Sequence, residues 1–269
     1  MKHLLNLVCL FLFATAFSQT AVRSLNAQNW QFKNAKDQNW LPAAVPGTVH
    51  LDLLANKVIQ DPFKDENEKK VQWIENENWD YQTNFKLSAK EFKNKNIDLV
   101  FDGLDTFSEI YVNGKLLQKT DNMFRKWEIP VKSYVKSGDN FIQIKFKSAV
   151  NEGKELAKKV PFTMPETPRS FVRKAQYQFG WDWGPRLVTA GIWKEVKLVF
   201  WNDAKIEHVK IEQKKVSEKV ADLIFHVEIL AEKAGKYSVS VNSSFKDFDL
   251  KKGKNTVQFP FAIKNPKLW

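Results

Sequence analysis

The sequence predicts an all-β chain made of two consecutive β-sandwiches. Three observations carry this. Apolar and polar residues alternate at a period of two through most of the chain, the pattern of strands with one buried face. Turn-forming pairs and short polar runs separate the alternating stretches. Helical signals are confined to short segments. A length of 269 residues suits one large β domain or two smaller ones, with enough chain to bury a core.

The opening segment, "MKHLLNLVCLFLFATAFSQT", has a basic start at Lys2 and an apolar stretch from Leu4 to Phe17. Small residues around Ser18 precede a polar change at Gln19. It reads as a signal peptide over residues 1–18, followed by a secreted or periplasmic protein. A membrane anchor is the alternative, but the apolar run is short for a span and polar sequence follows at once.

Residues 19–202 make up the first expected domain. In "WDYQTNFKL", Trp79, Tyr81, Phe85 and Leu87 share a face, and Ile97, Leu99 and Phe101 do so in "NIDLVF". Asn113-Gly114 between two apolar runs predicts a hairpin with a type I′ turn. Ile142, Ile144 and Phe146 alternate in the next strand. "IWKEVKLVFW" is apolar on both faces, with Ile192, Val196, Leu198 and Phe200 on one and Trp193, Val199 and Trp201 on the other. Such a strand is usually central or covered on both sides. Thr48 stands as an N-cap before a short helix whose apolar face is Leu51, Leu53 and Leu54. "NEGKELAKKVP" predicts a turn or two of helix stopped by Pro161. From Pro161 to Lys174 there is no periodicity, which predicts a long ordered loop.

Residues 203–269 make up the second expected domain. Ile206, Val209 and Ile211 suggest one strand; Leu223, Phe225, Val227 and Ile229 another; Tyr237, Val239 and Val241 a third; "NTVQFPFAI" a fourth. The spacing is that of an immunoglobulin-like sandwich. The 67 residues from Asp203 onward fall short of the roughly 100 usual for that fold, so a truncated sandwich is expected.

Composition narrows the function classes. The net charge of +11 comes almost wholly from scattered lysines, many beside glutamates. Without an arginine-rich arm, this reads as a solvated surface and not a nucleic-acid interface. No second long apolar run suggests a membrane partner. Cys9, the only cysteine, lies in the leader, and His50, His208 and His226 are far apart. No disulfide, metal site or cofactor is therefore expected. Ten tryptophans favour a ligand with flat apolar faces, such as a sugar.

The densest stretch is "QYQFGWDWGPRLVTAGIW", from Gln176 to Trp193. Trp181, Asp182 and Trp183 are the candidate binding residues. The carboxylate could accept hydrogen bonds from neighbouring sugar hydroxyls, and an indole could stack on the ring. If the segment is extended, Trp181 and Trp183 point to opposite sides and one faces the ligand. Gly180 and Gly184 permit close backbone approach, and Pro185 stiffens the exit. A buried turn, with both indoles in the core and Asp182 bonding backbone amides, explains the same residues.

"FGWDWGP" followed by "TAGIWKEVKL" resembles the N-terminal domain of β-mannosidases in glycoside hydrolase family 2. "VPGTVHLDLL", "DPF", "NEKKVQWIENENWDY", "FDGLDTFSEIYVNG" and "MFRKWEI" are similar to that family in the same order, from about Trp30 to Trp201. The resemblance implies a jelly-roll, galactose-binding-like first domain, an immunoglobulin-like second domain and a (β/α)₈ catalytic barrel beyond them. It implies that Trp181, Asp182 and Trp183 reach into the barrel's mannose subsite. The parent enzyme would be a retaining hydrolase of terminal non-reducing β-D-mannose in β-mannoside oligosaccharides. Its two catalytic glutamates would lie in the barrel, so no catalytic residue is expected in this chain and the chain alone is expected to be inactive. Asn67-Glu68, Asn76-Glu77 and Asn151-Glu152 echo the family's acid/base pair but lie in polar stretches of the first domain and are rejected. A pairing of Asp182 with Glu66, Glu68 or Glu75 has no support from spacing. A free-standing carbohydrate-binding module is the alternative function.

Overall fold

The computed structural model describes residues 20–166 and 168–268. The expected signal peptide and Cys9 lie outside the described residues. Among those described, two compact units form, one spanning Ala21–Trp201 and one containing residues 202–268.

The first unit contains twelve strands. They are β1 (Ala21–Ser24), β2 (Gln31–Asn34), β3 (Leu41–Pro42), β4 (Trp79–Leu87), β5 (Asn96–Phe101) and β6 (Phe107–Val112). β7 (Lys115–Asp121), β8 (Trp127–Pro130), β9 (Gly138–Phe146), β10 (Phe179–Trp181), β11 (Gly184–Arg186) and β12 (Val196–Trp201) follow. A six-stranded sheet has the order β3-β2-β4-β9-β6-β7, and a four-stranded sheet has the order β1-β12-β5-β8. One apolar core takes side chains from both, among them Phe32, Tyr81, Ile110, Ile142 and Phe146 from the larger sheet and Ile97, Leu99, Leu198 and Phe200 from the smaller. This is the jelly-roll-type sandwich expected, with alternating residues of the facing strands directed inward.

Local chemistry explains several elements. Asn113 and Gly114 both have positive φ, 48° and 80°, as a type I′ turn requires between β6 and β7. β12 is central, paired with β1 on one side and β5 on the other. β5 is buried on both faces, and its Asp98 accepts a 2.8 Å hydrogen bond from the Trp201 indole. Helix α1 (Val49–Ala55) begins after Thr48, but the Thr48 side chain makes no cap bond. Its inward residues are Val49, His50, Asp52 and Leu53, whereas Leu51 and Leu54 are exposed. The expected leucine face is thus corrected. The helix turns to bring Asp52 inside, where it accepts from the Tyr81 hydroxyl at 2.6 Å and the Ala44 amide at 2.8 Å. Short helices α2 (Asn67–Lys70) and α3 (Ala89–Phe92) and helix α4 (Ala149–Ala157) complete this unit. Ser148 caps α4 through the Asn151 amide. The segment after Pro161 is turns and one 3₁₀ turn, Arg169–Phe171.

In the second unit, β13 (Ala204–Val216), β14 (Val220–Ala231) and β17 (Gly253–Lys264) form one sheet, and β15 (Gly235–Val241) pairs with β16 (Ser244–Leu250) in another. Val227, Ile229, Val239, Leu250 and Phe259 share its core. Strand β16 was not anticipated. On β13, Ile206, Val209 and Ile211 stay exposed, and the register shifts between Ile206 and His208. Pro260 lies on β17, an edge strand that tolerates a missing donor.

Candidate functional site

The site starts from a buried ion pair. Lys174 and Asp105 are fully buried and form a 2.5 Å ion pair, with Lys174 also donating to the Thr189 carbonyl at 2.7 Å. Burial pushes the Lys174 ammonium down, and Asp105 pulls it back up. Gln178 donates to the same Asp105 oxygen at 3.3 Å. Removing one partner of such a pair would leave a buried charge, a loss of about 3–5 kcal/mol. Phe179 follows in a small core with Val150, Val172 and Val188. The chain therefore enters β10 from a fixed base.

β10 and β11 form a two-stranded hairpin, with Phe179 opposite Arg186 and Trp181 opposite Gly184. Asp182 and Trp183 make its tip. Gly180 has φ +88°, and a Cβ there would lie 3.2 Å from the Arg186 Cβ. A side chain at this position would meet both backbone strain and crowding.

Three elements meet at Arg186. Its guanidinium gives Glu75 two hydrogen bonds, both 2.9 Å, and a third to the Phe179 carbonyl at 3.0 Å. The Arg186 amide donates to Glu68 at 2.6 Å, and its carbonyl accepts from Gln72 at 2.8 Å. Glu68 lies on α2, while Gln72 and Glu75 lie on the following 3₁₀ turn, Gln72–Asn76. Glu66 pairs with Lys69 at the surface. The glutamates considered and rejected for catalysis thus have structural partners. Sequence reasoning missed Arg186, Asp105 and Lys174; the arginine two residues beyond Gly184 was the available signal for the first.

The tip is open. Trp183 is 82 % exposed and Trp181 47 %. Among the described residues, Asp182 is exposed and has no hydrogen bond or ion pair. The buried-turn explanation is therefore excluded, because neither indole is core and the carboxylate bonds no amide. The expectation that the two indoles diverge is also corrected. Their rings meet edge to face at 5.8 Å, since the chain reverses between them and does not stay extended. Both line one cavity of about 510 Å³, with Phe63, Tyr177, Gln178 and Leu187. The Arg169 guanidinium lies 5.6 Å from the Trp181 ring centre, a cation–π contact that steadies this wall. An apolar cavity beside an uncommitted carboxylate can hold a ligand with a flat apolar face and hydroxyl donors. Among the described residues, no cluster of three or more His, Cys, Asp or Glu could hold a metal ion. No described helix is long and apolar enough to cross a membrane.

Comparison with known proteins extends this picture. Residues 30–194 match the glycosyl hydrolase 2 galactose-binding domain-like family. β-Mannosidase B of Aspergillus terreus is 40 % identical over 182 residues, covering 64 % of this chain and 22 % of that protein. The β-D-mannosidase of Dictyoglomus thermophilum superposes with a TM-score of 0.84 at 41 % identity, covering 93 % of this chain and 32 % of that one. An exo-chitosanase of Amycolatopsis orientalis, at 17 % identity and a TM-score of 0.70, shares the fold. The chain thus spans less than a third of the length of these β-mannosidases, and it belongs to the glycosyl hydrolase 2 galactose-binding domain-like family.

Proposed function

We propose that the chain is the N-terminal part of a retaining β-mannosidase that hydrolyses terminal non-reducing β-D-mannose. In this reading, Trp181, Asp182 and Trp183 form one wall of the mannose subsite. The remaining wall, and the two carboxyl groups that such chemistry holds about 5 Å apart, come from a catalytic barrel elsewhere in the parent protein. The observation that carries the reading is the tip of the β10–β11 hairpin, where an unpaired carboxylate stands between two exposed indoles. A water-exposed carboxylate with no protein partner among the described residues is available to a polar ligand. The leader-like first 18 residues support delivery to the periplasm or the exterior.

The test is kinetic. The isolated chain should release p-nitrophenol from its β-mannoside no faster than buffer. In the parent enzyme, a charge-assisted hydrogen bond from a sugar hydroxyl to Asp182 contributes roughly 1.5–3 kcal/mol. Asp182→Ala should then lower kcat/KM about ten- to a hundredfold if the bond tightens in the transition state. Asp182→Asn should keep part of that activity. Because Asp182 bonds nothing among the described residues, neither change should move the melting temperature. Undiminished kcat/KM in the Asp182→Ala enzyme would refute the reading.

A further inference from the structure

Arg186 has an unusual number of commitments for a residue at the base of a three-residue strand. Its guanidinium, amide and carbonyl are all engaged, and four of its five hydrogen bonds run to Glu68, Gln72 and Glu75. Those partners lie more than 100 residues earlier in the chain. The Glu75 side chain is only 12 % exposed and that of Arg186 35 %, so the pairing is shielded on the glutamate side. By contrast, the only ladder pairs of the hairpin are Phe179–Arg186 and Trp181–Gly184. So short a ladder does not hold a direction in water by itself.

We propose that Arg186 is a positioning residue, clamped by Glu75, Glu68 and Gln72, that fixes where the Trp181–Trp183 tip points. The proposal rests on the reading of that tip as a sugar-binding wall. The planar guanidinium suits the task because both parallel bonds to one carboxylate must keep their geometry, which sets orientation as well as distance. The Arg186 backbone is also held, its amide donating to the Glu68 side chain and its carbonyl accepting from the Gln72 side chain, so the clamp resists rotation as well as withdrawal. Glu68 and Glu75 act through Arg186 and touch no substrate.

Two measurements test this separately. The first uses the 269-residue chain and amide hydrogen exchange. Arg186→Lys keeps the charge but loses the fork, and Glu75→Gln keeps the shape but loses the charge. Each should speed exchange of the hydrogen-bonded amides between 180 and 186, that of Arg186 among them and Pro185 having none, by about tenfold, the ratio for one lost hydrogen bond of ordinary strength. Amides of the main sheets should be unchanged in both variants, which also shows that the variants fold. Unaltered exchange at 180–186 would overturn the proposal. The second uses the parent β-mannosidase. Arg186→Lys should raise KM and lower kcat/KM by about tenfold, and adding Asp182→Ala should cost less than it does alone, because the tip is already misplaced. Strict additivity, or full activity in Arg186→Lys where Asp182→Ala is impaired, would overturn the positioning role. If Asp182→Ala itself has no effect, the sugar-wall reading fails, and the clamp is still judged by exchange.

Discussion

His50 shows how a single buried side chain ties stability to pH. It is 8 % exposed, and its Nδ1 has no partner. Burial, and then the nearby Lys174 charge, lower its pKa from 6.5 to about 4. The unfolded chain therefore binds a proton in this window that the folded chain does not. The contribution of neutral His50 is complete above pH 6.5 and is lost as pH falls towards about 4, by up to about 3 kcal/mol. Burial pushes the Asp52 and Asp80 carboxyls up, which acts in the opposite direction at lower pH. Urea unfolding across this range should show a steeper loss in the parent chain than in His50→Gln. Equal slopes would show that His50 does not couple folding to protons. Nothing in the sequence around His50 announces this, because its neighbour Lys174 is distant in the chain and adjacent only in the fold.

At the level of elements, glycines on the two strands of the hairpin should behave differently. Gly180→Ala places a side chain at φ +88° against Arg186, a conformation costing roughly 1–2 kcal/mol. Gly184→Ala meets no atom within 4 Å and has no positive φ. Exchange of the hydrogen-bonded amides between 180 and 186 should rise about tenfold for the first and stay level for the second. Equal behaviour would show that the left-handed backbone at Gly180 is not required. Elements governed by local chemistry were legible in advance. Asn113-Gly114 declares its turn because few other pairs accept two positive φ values, and β12 declares a central place by being apolar on both faces. β16 was not legible: Phe245, Phe248 and Leu250 break the period of two, and the strand is defined by its register with β15. The aromatic tip was legible as a feature. Its clamp was not, because Glu75 lies 111 residues from Arg186 and only the topology joins them.

At the scale of the whole molecule, the fold is shared beyond the β-mannosidases: it superposes on an exo-chitosanase at 17 % identity with a TM-score of 0.70, so the fold alone does not specify a ligand. The second unit carries a different kind of information. β13 is an edge of its sheet, and Ile206 and Ile211 on it are 58 % and 54 % exposed. Among the described residues, an edge strand of this kind is a template on which another chain can add a strand. Lys205, Lys210, Lys214 and Lys215 decorate the same strand, and the chain carries a net charge of +11, so neighbouring copies repel. That repulsion reaches about 10 Å at 0.1 M salt and only about 3 Å at 1 M. Colloidal behaviour should thus be inverted relative to an ion-paired complex: sedimentation should reveal monomers at low ionic strength and growing association as salt rises. Ile211→Lys should suppress it. A chain that stays monomeric at every salt concentration would mean that the strand's own lysines are sufficient protection without the long-range field.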